Sequence, residues 1–502
     1  MAEGNEAPTK PSIEIRELEK DSFFFAGLRK PDFQRETSEW DPKRVVGLLR
    51  TFLDEDLIPS VILWKNKDLY FVIDGSHRLS ALIAWVQDDY GSGATSQLFW
   101  GNAIPEEQIR IANQTKELVE KEFGSYRNHR DATSNPQLYG PDIVSRARRL
   151  ATISLNLQWV RGDAKKAENS FVRINQQAAN ITPQELELIQ NRKRPNAIAA
   201  RAIIQRGTGH QYWSPFGTDK QKVIKEIATD IFDIIFRPFL NYPIKTLDLP
   251  AGGAAYSSTS LRMIYDFVNL ASGASDNNDD TTGQKTIDHL TRCRKVAKLI
   301  ISNDASSLGL HPAVYFYSWT GKQQPILFLT WASLIVNIEQ GKTLDEFVKI
   351  RGRLENVLIN NRSLINQLIR KFGTKSSGAK HLEGFYVDIM EYFKNGKSED
   401  DILSLFKDNA KYPYLQPDEV PYSGVAPTKF STQVKSGLIV QNLLPSAPRC
   451  PICAGLVPTQ AISVDHKIRK EDGGESVADN AQITHPYCNT GFKEKLSRVK
   501  RA

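Results

Sequence analysis

Four residues near the C-terminus have the type and spacing of metal ligands. Cys450-Pro451-Ile452-Cys453 is a C-x-x-C, and His485-Pro486-Tyr487-Cys488 is an H-x-x-C. Thiolate and imidazole are the ligands of tetrahedral zinc, and a structural site fills all four positions with protein groups. The chain has 4 cysteines, so these two knuckles hold all of them but Cys293. In a reducing compartment such a cluster reads as metal ligation before disulfide formation. A segment this short has little apolar core, so zinc would contribute much of its stability. Between the knuckles stand Asp465-His466, Gly473-Gly474 and Asp479-Asn480, and Asn489 follows Cys488. Phosphodiester hydrolysis needs an activated water and positive charge at the developing oxyanion. A neutral His466 suits the general base. Asp465 and Asn489 offer hard oxygens to magnesium or manganese as Lewis acid. The basic tail Lys493, Lys495, Arg498, Lys500 and Arg501 is expected to be helical and to contact phosphates of DNA without reading sequence.

A second group lies near the N-terminus. Ile73-Asp74-Gly75-Ser76-His77-Arg78-Leu79 reads as a strand, a tight glycine turn and a helix start. Backbone amides at a helix N-terminus form an anion site, and His77 and Arg78 add cationic donors suited to phosphate. Upstream, Gln34-Arg35 supplies another guanidinium with an amide beside it.

The elements that must position these groups follow from periodicity. Leu69 to Ile73 is a short β-branched and aromatic run, and Ser76 to Val86 carries Leu79, Leu82, Ile83 and Val86 on one helical face. Ser154 to Val160 alternates, with Leu155, Leu157 and Trp159 on one side. Thr182-Pro183-Gln184-Glu185 is a capping box with proline at the first helical position. Helices are predicted over 223–236, 260–271, 287–301, 324–339, 343–372 and 384–393, with polar loops at 272–285 and 373–380. Trp319, Phe328 and Trp331 read as core, and Cys293 as an inert helix thiol. The expected division is an N-terminal domain at 13–190, a helical middle at 191–408, a linker at 409–437 and a C-terminal domain at 438–502.

From Arg449 to Arg501 the order of knuckle, Asp-His, Gly-Gly, Asn and Cys-Asn resembles the HNH endonuclease family. The resemblance implies a ββα-metal fold with structural zinc on Cys450, Cys453, His485 and Cys488, and a catalytic Mg2+ or Mn2+ on Asp465 and Asn489. It implies that Asn480 braces the loop that orients His466. His485 stands where many members have a fourth cysteine. The elements Pro31 to Arg35, Asp74 to Leu79, Leu155 to Val160, Phe171 to Asn175 and Thr182 to Leu188 resemble the DUF262 domain, a branch of the ParB/sulfiredoxin-like fold. That resemblance spans Ile13 to Ile189, and its usual D-G-Q-Q-R box is varied here by Ser76-His77. It implies an α/β nucleotide-binding domain in which Asp74 is the acidic residue. Gly75, Ser76, His77, Arg78, Gln34 and Arg35 would cradle phosphates, and Asn175 would close the site. The expected class is thus an α+β multidomain protein with an NTP as further ligand.

Joined, the two ends look like modification-dependent or phosphorothioate-linked restriction proteins of bacterial antiphage defence. The expected activity is cleavage of duplex DNA, modified DNA included, under control of the nucleotide domain, with homo-oligomerisation compatible. An RNA- or tRNA-cleaving toxin and a nucleotide-dependent DNA sensor without cleavage are the alternatives. A formal net charge of +7 over 502 residues is compatible with a polyanionic partner. With no signal-peptide pattern in the opening residues and no apolar run of bilayer length, a cytoplasmic protein without membrane attachment is expected.

Overall fold

The computed structural model describes residues 9–29, 42–66, 68–100, 104, 106–178, 187–188, 190–209, 211–255, 258–273, 278–374, 376–399, 401–402, 406, 411–415 and 430–495. The chain divides into two compact units, one of Met1–Arg192 with Thr208–Tyr212, the other of Lys193–Gly207 with Trp213–Ala502.

The first unit is built on a mixed five-stranded sheet of β1 (Ser12–Glu14), β2 (Leu28–Arg29), β3 (Val61–Asn66), β4 (Leu69–Asp74) and β5 (Ser154–Val160), in the order β1-β5-β3-β4-β2. β3 runs antiparallel to β4 and parallel to β5. Side chains alternate between the sheet's two faces. Val61, Leu63, Val72, Leu155 and Leu157 join a large core with helices α1 (Pro42–Leu53) and α2 (Ser76–Gln87), whose Leu49, Phe52, Leu79, Leu82 and Trp85 are buried there. Trp64 and Ile73 face the other way, onto Ala167 and Phe171 of α3 (Ala164–Ala178). The strands expected at 69–73 and 154–160 and the helix expected from Ser76 all form. The capping box at Thr182, Gln34, Arg35 and the side chain of Asn175 lie outside the described residues.

The second unit is helical up to its last segment. Its centre is α4 (Pro195–Ile204), every residue of which is buried. Alanines at 197, 199, 200 and 202 give it the slim profile that lets α5 (Thr218–Phe236), α6 (Ser258–Ser272) and α7 (Gln284–Ile300) pack around it. Then come α8 (Pro325–Gln340), α9 (Leu344–Asn360), α10 (Arg362–Phe372) and α11 (Ser376–Lys394). Phe328 and Trp331 are core residues, and Trp331 packs edge-on to Tyr315 with ring centroids 4.7 Å apart. Cys293 is fully buried, and burial pushes its thiol well above the usual range, so it is unreactive.

The single helix expected over 343–372 is two. Asn361 leaves helical geometry at φ −118°, ψ 38° and starts α10. Periodicity is blind to this turn because apolar spacing resumes beyond it; Asn360-Asn361, residues that bond to local backbone, is the local cue. Residues 432–443, partly inside the expected linker, form helix α12 (Thr432–Leu443). Its Ser436 is buried and accepts a hydrogen bond from Ile244 N, and a Cβ on Gly437 would lie 3.0 Å from the Trp319 carbonyl oxygen. The C-terminal segment is thereby fastened to the helices. Among the described residues no helix is long and apolar enough to cross a membrane.

Candidate active site and metal centre

The first knuckle is a tight turn in which Cys450 N bonds to Gly455 O and Ala454 N to Cys450 O. The chain then forms a two-stranded antiparallel ribbon of β6 (Ser463–His466) and β7 (Ala481–Thr484), with Asp465 opposite Gln482 and His466 opposite Ala481. β7 delivers His485, and the turn after it delivers Cys488. The ligand atoms of Cys450, Cys453, His485 and Cys488 all lie within 4.8 Å of one another, and all four residues are buried. His485 Nδ1 is 3.3 Å from Cys453 Sγ and 3.8 Å from Cys488 Sγ. Zinc bonds of about 2.3 Å to sulfur and about 2.0 Å to nitrogen set tetrahedral ligands roughly 3.5–3.8 Å apart, and the two His485 Nδ1 to sulfur distances fall near that spacing. His485 Nε2 is 3.0 Å from the Leu456 carbonyl, which fixes Nδ1 as the inward, unprotonated nitrogen.

The electrostatics of the tetrad ask for a cation. Hydrogen bonding among the sulfurs pulls the Cys450 thiol far down, and the same contacts push Cys453 and Cys488 up. Burial, with Arg351 nearby, lowers His485. A metal ion at the centre of the tetrad would favour the deprotonated form of every sulfur.

Asp465, His466 and Asn489 are gathered along β6. Asn489 Nδ2 donates to Ser463 Oγ at 2.8 Å and to the Val464 carbonyl at 3.4 Å, and its amide oxygen accepts no hydrogen bond among the described residues. Asp465 is buried. Lys493 Nζ lies 2.8 and 2.7 Å from its two oxygens and also donates to the His466 carbonyl, while Gln482 Nε2 donates to Oδ2 at 2.8 Å. Lys493 thus neutralises the carboxylate and spans both of its oxygens. His466 Nε2 is 3.0 Å from Ser476 Oγ. Asn480 closes the intervening loop: Nδ2 donates to the carbonyls of Ile468 and Glu475, and Oδ1 accepts from Ile468 N. Gly474 is required in that loop, since a Cβ there would fall 1.9 Å from the Ile468 carbonyl oxygen.

The described part of the basic tail is helical, and its two lysines are paired within the protein. Lys493 is turned inward onto Asp465, and Lys495 pairs with Asp345 of α9 at 3.0 Å and with Tyr487 at 3.1 Å. Arg498 lies outside the described residues. Sequence reasoning missed Ser476, Gln482 and the inward role of Lys493. Gln482 was within reach, because it faces Asp465 once the ribbon's register is known.

In the first unit, Asp74 ends β4 and Gly75 takes φ +87° to start α2. Arg78 Nη2 donates to Asp74 Oδ2 at 2.7 Å and to the Ser60 carbonyl at 3.2 Å, and its Nε is buried without a hydrogen bond among the described residues. Ser76 opens the helix half-buried and His77 is exposed.

Residues 15–192 match the family model of the GmrSD restriction endonuclease N-terminal domain, and residues 450–493 match that of the HNH endonuclease. The chain joins a GmrSD-type N-terminal domain to an HNH nuclease domain. The helices between them carry neither match. No curated protein and no solved structure matches the chain at a significant level. The HNH domain ends within the fold of the helical unit, so the nuclease and the middle helices make one compact body.

Proposed function

We propose that the chain is a divalent-metal-dependent DNA endonuclease of antiphage restriction, controlled by NTP binding to its GmrSD-type domain, here read as ParB/sulfiredoxin-like. What supports this most is a buried Cys3His cradle able to hold a metal, beside a ribbon that carries Asp465 and His466 and to which Asn489 is bonded, inside an HNH match. Zinc would sit on Cys450, Cys453, His485 and Cys488 and hold the frame. Magnesium or manganese, bound by Asp465 and the Asn489 amide oxygen, would supply Lewis-acid stabilisation of phosphate charge. His466, held near Ser476, takes a proton from the attacking water. Asn480 fixes the loop between the strands and so the direction of the imidazole. Lys493 orients the Asp465 carboxylate and, through the His466 carbonyl, the end of β6.

In the N-terminal domain, the amides at the start of α2, with Ser76, His77 and Arg78, form the phosphate end of the nucleotide site, and Asp74 is its acidic residue. The test is a side-by-side digestion of plasmid, modified and unmodified phage DNA and total RNA, with each NTP, in Mg2+, Mn2+ or EDTA. Cleavage of DNA that needs the divalent ion and responds to an NTP is expected. Cleavage of RNA alone would make the chain an RNase, and DNA binding without cleavage would make it a sensor.

A further inference from the structure

The helical unit reaches into the zinc cradle through a charged pair. Arg351 and Glu355, one turn apart on α9, are both fully buried, with Arg351 Nε 2.7 Å from Glu355 Oε1. Arg351 also donates to the Leu308 and Gly309 carbonyls, and Tyr315 Oη donates to Glu355 Oε1 at 2.9 Å. The remaining Glu355 oxygen crosses to the HNH domain and accepts from Leu456 N at 2.6 Å. Leu456 is the residue whose carbonyl receives His485 Nε2. Alongside, Gly352 N donates to the Cys453 carbonyl at 3.0 Å. The fit admits no side chains: a Cβ on Gly352 would lie 2.6 Å from Ala454 Cβ, one on Gly455 2.5 Å from Arg351 Nε, and one on Gly309 2.9 Å from the His485 ring.

We propose that the middle helices serve as the outer shell of the zinc centre, with Glu355 as a positioning residue that acts on His485 through the backbone of Leu456, whose N–H it holds and whose carbonyl receives the imidazole. An imidazole ligand keeps its tautomer and direction only while its far nitrogen has a fixed acceptor. Here that acceptor is the carbonyl of Leu456, a residue whose own N–H, across its Cα in the preceding peptide, is held by a carboxylate on another element, and that carboxylate is held in turn by Arg351 and Tyr315. Zinc retention is thereby linked to the packing of α9, and the order of α9 is linked to zinc. The helical middle thus has a role of its own, to complete the nuclease frame.

This inference rests on the tetrad being a zinc site. The experiment uses the full-length chain as purified. Zinc content is measured first, then the rate of zinc release to a chromogenic chelator, for the native protein, Glu355→Gln, Tyr315→Phe and Ile231→Val, the last a buried substitution in α5 as control for general loosening. Release about tenfold faster than native in Glu355→Gln, with a smaller rise in Tyr315→Phe and the native rate in Ile231→Val, is expected. Hydrogen exchange of the native protein before and after chelation gives a second readout that needs no variant. Protection should fall at Gly352 and along α9 as well as in 450–493. Release at the control's rate, or loss of protection confined to 450–493, overturns the proposal. A native chain that carries no zinc removes the zinc centre itself, and this inference with it.

Discussion

At the scale of residues, the proposed hydrolysis rests on His466 as general base, and one glycine sets a turn. His466→Ala should lower DNA cleavage by about 10²–10⁴-fold, with zinc content and DNA affinity kept, as measured by single-turnover digestion and metal analysis. Lys493 separates two readings of the tail. Were it a phosphate contact, Lys493→Ala would weaken DNA binding evenly and leave the melting temperature alone. Its bonds to both Asp465 oxygens predict instead a loss of about 1–3 kcal/mol in stability, since a buried carboxylate is left without its partner. Gly75 has φ +87°, and a Cβ there would lie 2.9 Å from Val61 Cγ2. Gly75→Ala should therefore cost about 1–3 kcal/mol by denaturant titration of the N-terminal unit, and an unchanged midpoint would remove the strain argument.

At the scale of elements, helix ends show what a sequence discloses and what it hides. α7 starts after Gly283, which has no side chain to cap it, and Asp280 does the capping from outside the helix. Its oxygens accept from Thr282 N, Gly283 N, Thr286 N and Thr286 Oγ1. Burial pushes its carboxyl up, and these four bonds outweigh burial and hold it below the usual value. A carboxyl whose pKa is depressed in the folded state contributes stability above its unfolded pKa, about 3.9, and loses that contribution as pH falls through the folded value. Asp280→Ala should cost about 1–2 kcal/mol at neutral pH. The gap between its melting temperature and that of the native chain should close below about pH 4; a gap that stays constant into acid would count against the cap. Much at this scale was legible in residues, because period-2 and period-3.6 patterns report a buried face directly: β5 and α2 came out nearly residue for residue. The two knuckles were legible because ligand types at fixed spacing have few other uses. The split at Asn361 was not, since a break that keeps the apolar stripe in phase leaves the pattern intact.

At the scale of the molecule, the contacts between distant parts of the chain were beyond the sequence. Arg351 and Glu355 stand four residues apart on a helix, which is the spacing of an ordinary solvent-exposed ion pair. They are fully buried against a turn a hundred residues away. Nothing in their types separates the two situations, because the burial comes from what docks on them. The proposed nucleotide control belongs to this scale too. Asp74→Ala and Arg78→Ala should abolish the response of cleavage to NTP while leaving the isolated hydrolytic step intact on denatured or short substrates. Variants that cut DNA at the native rate and still respond to nucleotide would sever the GmrSD-type domain from the nuclease's control.

The slim alanine-rich helix at 195–204 also has a bearing on how this protein can be dissected. It is the first piece of the helical body to leave the ribosome, yet it is the peg around which the later helices close. A nuclease fragment that begins after residue 207 would be born with an open slot where that peg belongs, and the apolar faces of the later helices would be left exposed. Fragments meant to isolate cleavage from control should therefore begin no later than Lys193.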